Sequence, residues 1–198
     1  VNGQFDAVLL GIKPQQLAEA APAISALIGA QTSVLSVLAG VDLPTLDKAF
    51  PGAGAIVRVM PNLAAAIGKS PLGLFAQGLD DANRIALDAL LAPLGSPEWL
   101  AAEDQLDAVT ALAGSGPAFV YRFIAALAGG GTEIGLDPAQ AQRLALAMVE
   151  GAAALAAAWP EDPAELARRV TSPGGTTAAG LAVLDNEGAL ERMGITWE

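Results

Sequence analysis

The chain has 198 residues, 53 % of them hydrophobic but only 5 % aromatic, which suits one or two domains whose helices pack on small side chains. Ten Lys and Arg stand against 21 Asp and Glu, a net charge of −11, and the basic residues are scattered singly apart from Arg168-Arg169, so no basic footprint for nucleic acid exists. With no Cys and no His, disulfides, thiolate nucleophiles, His-based triads and the usual zinc sites are excluded. No metal site is expected, and any chemistry must run on carboxylates, hydroxyls, backbone dipoles or a borrowed cofactor.

In chain order, Ala7 to Gly11 reads as a strand stopped by Lys13-Pro14, and Gln15 to Ile28 as a helix. Thr32 to Leu38 is a second β-branched apolar run ending at Ala39-Gly40, and Leu43 to Phe50 a short helix. The uncharged run from Ala20 to Val41 is long enough to span a bilayer, but Pro22, Gly29 and its hydroxyl residues divide it into two shorter elements, so no membrane segment is expected. Ala55 to Met60 is a third strand halted by Pro61-Asn62, and Leu72 to Phe75 a weaker one. Asp80 to Ala92 is helical, and Glu98-Trp99-Leu100 is placed to close the sheet. Apolar strands separated by helices imply an α/β fold, a largely parallel sheet covered on both faces.

From about Asp104 the pattern is helical only. Ser115-Gly116-Pro117 starts a helix that Gly129-Gly130-Gly131 is expected to end. Asp137-Pro138-Ala139-Gln140 caps the start of another, which runs to Trp159 and is apolar almost all round, so either its own domain or a partner chain must bury it. Asp162-Pro163-Ala164-Glu165 repeats the capping pattern. These changes put a domain boundary near Ala101-Ala102.

The most informative stretch is Ser172-Pro173-Gly174-Gly175-Thr176-Thr177, a turn opening into a helix. Unpaired N–H groups at a helix start attract an anion; the glycines admit close approach and the hydroxyls can add bonds. A plain Thr N-cap explains the same residues. Gly11-Ile12-Lys13-Pro14, Leu38-Ala39-Gly40 and Met60-Pro61-Asn62 fall at the carboxyl ends of three predicted strands, where α/β sheets bind ligands; each also reads as a strand-ending turn. Ala113 to Pro117 is a Gly-rich helix entry, but it has neither a P-loop Lys-Ser/Thr pair nor the GxGxxG spacing. No carboxylate pair stands out for acid–base work.

Taken in order, Ile12-Lys13-Pro14, Ala39-Gly40, Arg58-Val59-Met60-Pro61-Asn62, Gln105 to Leu112, Ser115-Gly116-Pro117-Ala118 and Ser172 to Thr177 resemble pyrroline-5-carboxylate reductases from Asp6 to about Leu190. The resemblance implies a partial Rossmann-like mostly parallel sheet, an incomplete dinucleotide-binding domain over 1–102, and an all-helical substrate-binding and dimerisation domain over 103–198. It implies hydride transfer from NADPH or NADH to the C=N bond of 1-pyrroline-5-carboxylate, giving L-proline. Ser172, Thr176 and Thr177 would bind the substrate carboxylate, with the Thr177 hydroxyl near the ring nitrogen as the catalytic candidate. Gly11, Ile12, Lys13, Pro14, Leu38, Ala39 and Gly40 would line the cofactor. The family's opening βαβ unit with its Gly-rich pyrophosphate loop is not found, which reads as a fragment or a cofactor-deficient homologue. A non-catalytic carboxylate-binding or oligomerisation module is therefore the alternative, and a different reductase on the same scaffold a third reading. A homo-oligomer through the helical domain, a small cyclic imino acid as substrate and a cytoplasmic location complete the expectations.

Overall fold

The computed structural model describes residues 5–186. Two compact units divide the chain, one running to Ser115 and the other beginning at Gly116. The first is built on five strands: β1 (Ala7–Leu10), β2 (Ser33–Ser36), β3 (Ala55–Met60), β4 (Ser70–Ala76) and β5 (Gly95–Trp99). They lie in chain order across the sheet, parallel except for the β3–β4 pair, which is antiparallel. The first three strands are in register through Leu10, Ser36 and Arg58, so their carboxyl ends share one edge.

Helices α1 (Leu17–Ser25), α2 (Leu43–Ala49), α3 (Asp81–Leu91) and α4 (Gln105–Val109) cover the sheet. Side chains alternate along a strand, and the cores divide accordingly. Val34, Ile56 and Phe75 join Leu10, Leu46, Phe50 and Leu106 in one cluster. Leu35, Val57, Val59, Leu72 and Leu74 join Leu87 and Leu91 of α3 in the other. Both faces are thus covered, although Leu9 on the edge strand β1 remains 59 % exposed.

The weakest strand signal in the sequence becomes the longest strand. β4 extends to Ser70 and Ala76 because its neighbours on both sides complete its hydrogen bonds. Gly73 interrupts its apolar run for a packing reason: a Cβ there would lie 2.8 Å from Val109 Cγ1 of α4. β5 begins at Gly95 and ends at Trp99 rather than covering Glu98 to Leu100, and it tolerates Pro97 as the last strand of the sheet. The helix expected over 15–28 starts as a 3-10 turn at Pro14–Gln16 and ends at Ser25.

A π-helical turn, Thr110–Ser115, ends the first unit. The second contains α5 (Gly116–Glu133), α6 (Pro138–Ala158), α7 (Pro163–Arg169) and α8 (Thr176–Asn186). The expectation that Gly129-Gly130-Gly131 ends a helix is corrected: α5 passes through all three glycines. Its stop lies at Gly135, whose φ of +108° only glycine adopts easily, with Gly135 N–H donating to Thr132 O and Leu136 N–H to Gly131 O, a Schellman pattern. Gly131 instead serves contact, since a Cβ there would meet Ala141 Cβ of α6 at 3.3 Å. Asp137 caps α6 by accepting from Ala139 and Gln140 N–H, and Asp162 caps α7 by accepting from Glu165 N–H.

Candidate active site

The Ser172–Thr177 segment is a β-turn that delivers the chain into α8. Gly175 N–H donates to Ser172 O at 3.0 Å, with Pro173 and Gly174 as the central residues and Gly174 at φ +69°. Pro followed by Gly at positive φ is the type II arrangement, which explains the order of these residues physically. α8 begins at Thr176, and Ala179 N–H donates to Gly175 O at 3.2 Å. The cap position is therefore Gly175, and the plain Thr N-cap is not what the structure contains. Among the described residues, the hydroxyls of Ser172, Thr176 and Thr177 make no hydrogen bond, and all three side chains are exposed. Three free hydroxyls and the first N–H groups of a helix thus occupy one turn and its continuation, a donor set suited to a carboxylate.

Thr171, just before the turn, is engaged differently. Its hydroxyl donates to Ala167 O at 2.6 Å, so it finishes α7 and is not free as those of Ser172, Thr176 and Thr177 are.

The first unit carries the other predicted segments. Gly11 to Pro14 follow β1, Leu38 to Gly40 follow β2, and Met60 ends β3 with Pro61 and Asn62 after it, so all three sets lie at the carboxyl edge of the parallel strands. Leu38, Ala39 and Gly40 line a cavity of about 100 Å³ together with Arg58, Met60, Asp107 and Thr110. Gly11, Ile12, Lys13 and Pro14 do not line this cavity; they form the adjacent turn, where Lys13 N–H donates to Gln16 Oε1 at 3.0 Å. Gly40 has φ +72° and open space where a Cβ would project, so the loop is shaped by glycine without being filled.

Two polar side chains hold this edge together. Asn62 accepts from Ala64 N–H through Oδ1 and donates through Nδ2 to Ala113 O of the π turn. Glu103 accepts from Arg58 and from Leu43 N–H, each at 2.8 Å. Residue-level reading missed Glu103. The usable signal was Arg58, a cation in the apolar run Ala55 to Met60, because a cation buried in a strand requires an acid. Hydrogen bonds from Thr45, with a smaller contribution from Arg58, hold the Asp42 carboxyl below its usual value.

Residues 103–195 match the family model for pyrroline-5-carboxylate reductase dimerisation. The Synechocystis pyrroline-5-carboxylate reductase is 41 % identical over 185 residues, 92 % of this chain and 68 % of the relative. The chain belongs to the pyrroline-5-carboxylate reductase family. The Bacillus subtilis pyrroline-5-carboxylate reductase 2 is 42 % identical over 182 residues, of whose length the chain spans 65 %. A solved structure of the Coxiella burnetii reductase superposes with a TM-score of 0.90 at 30 % identity, covering 97 % of this chain and 72 % of that one. The Plasmodium falciparum reductase, solved with NADP bound, shares the fold at 22 % identity and a TM-score of 0.81. The sheet edge of the first unit and the Ser172–Thr177 turn of the second are each a candidate binding site.

Proposed function

We propose that this protein reduces the C=N bond of 1-pyrroline-5-carboxylate to give L-proline at the expense of NADPH or NADH. Membership of the reductase family supports the reaction, and the observation that carries the substrate assignment is the Ser172–Thr177 turn with its unengaged hydroxyls. In this reading Ser172 and Thr176 bind the substrate carboxylate, aided by the N–H groups at the start of α8. Thr177 orients the ring nitrogen through its hydroxyl. The cyclic imine is already polarised and takes its proton from solvent, so the absence of histidine costs the reaction nothing.

The carboxyl edge of β1 to β3 is the proposed place for part of a dinucleotide, supported by its position, where parallel sheets bind such groups, and by Ala39 and Gly40 at the rim of the small cavity there. Leu38, Ala39 and Gly40 would hold it there, with Gly11, Ile12, Lys13 and Pro14 on the neighbouring strand end. The reduced nicotinamide would supply the hydride, and the protein orientation and an anion site.

Residues 1–102 are proposed as the dinucleotide-binding portion and 103–198 as the substrate-binding and dimerisation portion. A homo-oligomer through the helices is part of this proposal, supported by the dimerisation family model over 103–195 and by the face of α6 described below. No nucleic-acid or membrane partner is assigned, and the cytoplasm is the proposed compartment, which the absence of cysteine fits. Assaying the full-length gene product for oxidation of NADPH and of NADH with 1-pyrroline-5-carboxylate tests the reading. Turnover is expected with at least one cofactor. Tight binding of proline with no turnover and no cofactor binding would replace it with the carboxylate-binding module.

A further inference from the structure

One oxygen of Glu103 joins three segments of the first unit. It accepts from Arg58 Nη1 at the carboxyl end of β3 and from Leu43 N–H at the start of α2, both at 2.8 Å. Glu103 itself lies two residues before α4. Leu43 N–H is one of the donors a helix start leaves unpaired, and the Arg58 side chain is only 13 % exposed, so both partners need this acceptor. The loop that leads into Leu43 borders the cavity at the sheet edge through Leu38, Ala39 and Gly40, together with Arg58. The loop's own bonds are long: Val41 N–H to Leu38 O is 3.4 Å and Leu38 N–H to Ser36 Oγ is 3.3 Å. Gly40 adds conformational freedom, and no neighbouring atom crowds it. Asp42, at the end of the loop, caps α2 by accepting from Thr45 N–H at 3.0 Å, and the short, charge-assisted bonds at Glu103 add the tie that reaches from the start of α2 across to β3.

We propose that Glu103 is a positioning residue for the cofactor: without lining the cavity, it fixes Arg58 and the Leu38–Gly40 loop so that the binding edge is preformed. The proposal rests on the reductase reading. Removing the carboxylate leaves Arg58 without its partner and frees the start of α2, so the loop samples more conformations and the competent one is less populated.

Glu103→Ala and Glu103→Gln in the full-length gene product test it by two readouts. In the Ala variant, amide exchange over residues 38–43 should accelerate about tenfold while β2 and β3 exchange as before. NADPH affinity, titrated by fluorescence, and KM for NADPH should weaken about tenfold, while KM for the imine and kcat stay within about twofold. Gln keeps an oxygen acceptor and should recover most of the loss. Unchanged exchange at 38–43, a uniform acceleration across the unit, or a loosened loop with unchanged NADPH affinity would each overturn the proposal. A wild-type protein inactive on the imine would sink the reductase reading alone, because exchange and NADPH titration still decide the role of Glu103.

Discussion

Thr177 is exposed, is the second residue of α8 and has no side-chain hydrogen-bond partner among the described residues, so its hydroxyl contributes little to folding. A Thr177→Val substitution keeps shape and removes the hydroxyl. It should lower kcat/KM for the imine by about tenfold or more while the melting temperature barely moves, a loss of one hydrogen bond made in the transition state. An unaltered kcat/KM removes Thr177 from the reaction. Ser172, by contrast, lies in the turn itself, and Ser172→Ala is expected to raise KM for the imine more than it lowers kcat. Asp42 supports a prediction about pH. Its carboxyl is held below the ordinary 3.8 by hydrogen bonds from Thr45, so the folded state favours the ionised form. The stability this gives is fully present above 3.8 and is lost as the pH falls through the lower, folded-state value. The melting-temperature advantage of wild type over Asp42→Ala should therefore shrink on acidification below 3.8; an advantage independent of pH contradicts the assignment.

At the scale of elements, close approach decides more than propensity does. Gly73 lets α4 lie directly on β4, with the absent Cβ replaced by the methyl groups of Val109. Gly73→Ala is expected to destabilise the unit by about 1–3 kcal/mol through overpacking, and chemical denaturation measures this directly. Combining it with Val109→Ala should recover part of the loss, which a purely backbone effect would not allow. Glycine also explains where reading from sequence succeeded and where it did not. The strand Ala55–Met60 and the caps Asp137 and Asp162 were legible, because β-branched runs and Asp-Pro starts are local signals. The end of α5 was not, since three consecutive glycines resemble a stop until the contact of Gly131 with α6 is seen. β4 looked weak because half of what makes a strand is its neighbours. In the candidate site, the Ser-Pro-Gly-Gly-Thr-Thr turn could be read directly, whereas Glu103 could not be paired with Arg58 across the intervening chain.

At the scale of the whole molecule, the helical unit is apolar without being closed. Among its described residues only Ala141 and Ala145 are buried, while Leu144, Met148 and Leu155 share one side of α6 at 52 %, 49 % and 43 % exposure. α6 is also long and apolar enough to cross a membrane by length and composition. The dimerisation model spanning these residues favours a second copy of the chain, and an apolar face of this kind marks an interface. Sedimentation should show a dimer or a higher assembly built from it, with a melting temperature that rises with protein concentration. Met148→Glu should abolish both behaviours, and a wild-type monomer would contradict the interface. The residues from Glu103 to Ser115 show how the two descriptions interleave: they pack with the sheet unit yet fall within the family's dimerisation region. The sequence by itself determined the α/β-then-helical order, the family and the turn that leads into α8, because these depend on short-range patterns and on residues adjacent in the chain. Only the tertiary structure decided the antiparallel place of β4, the length of α5 and the joining of Arg58, Leu43 and Glu103. Each of those depends on a partner distant in sequence, and no local pattern encodes which distant group will complete a hydrogen bond or occupy the space a glycine leaves.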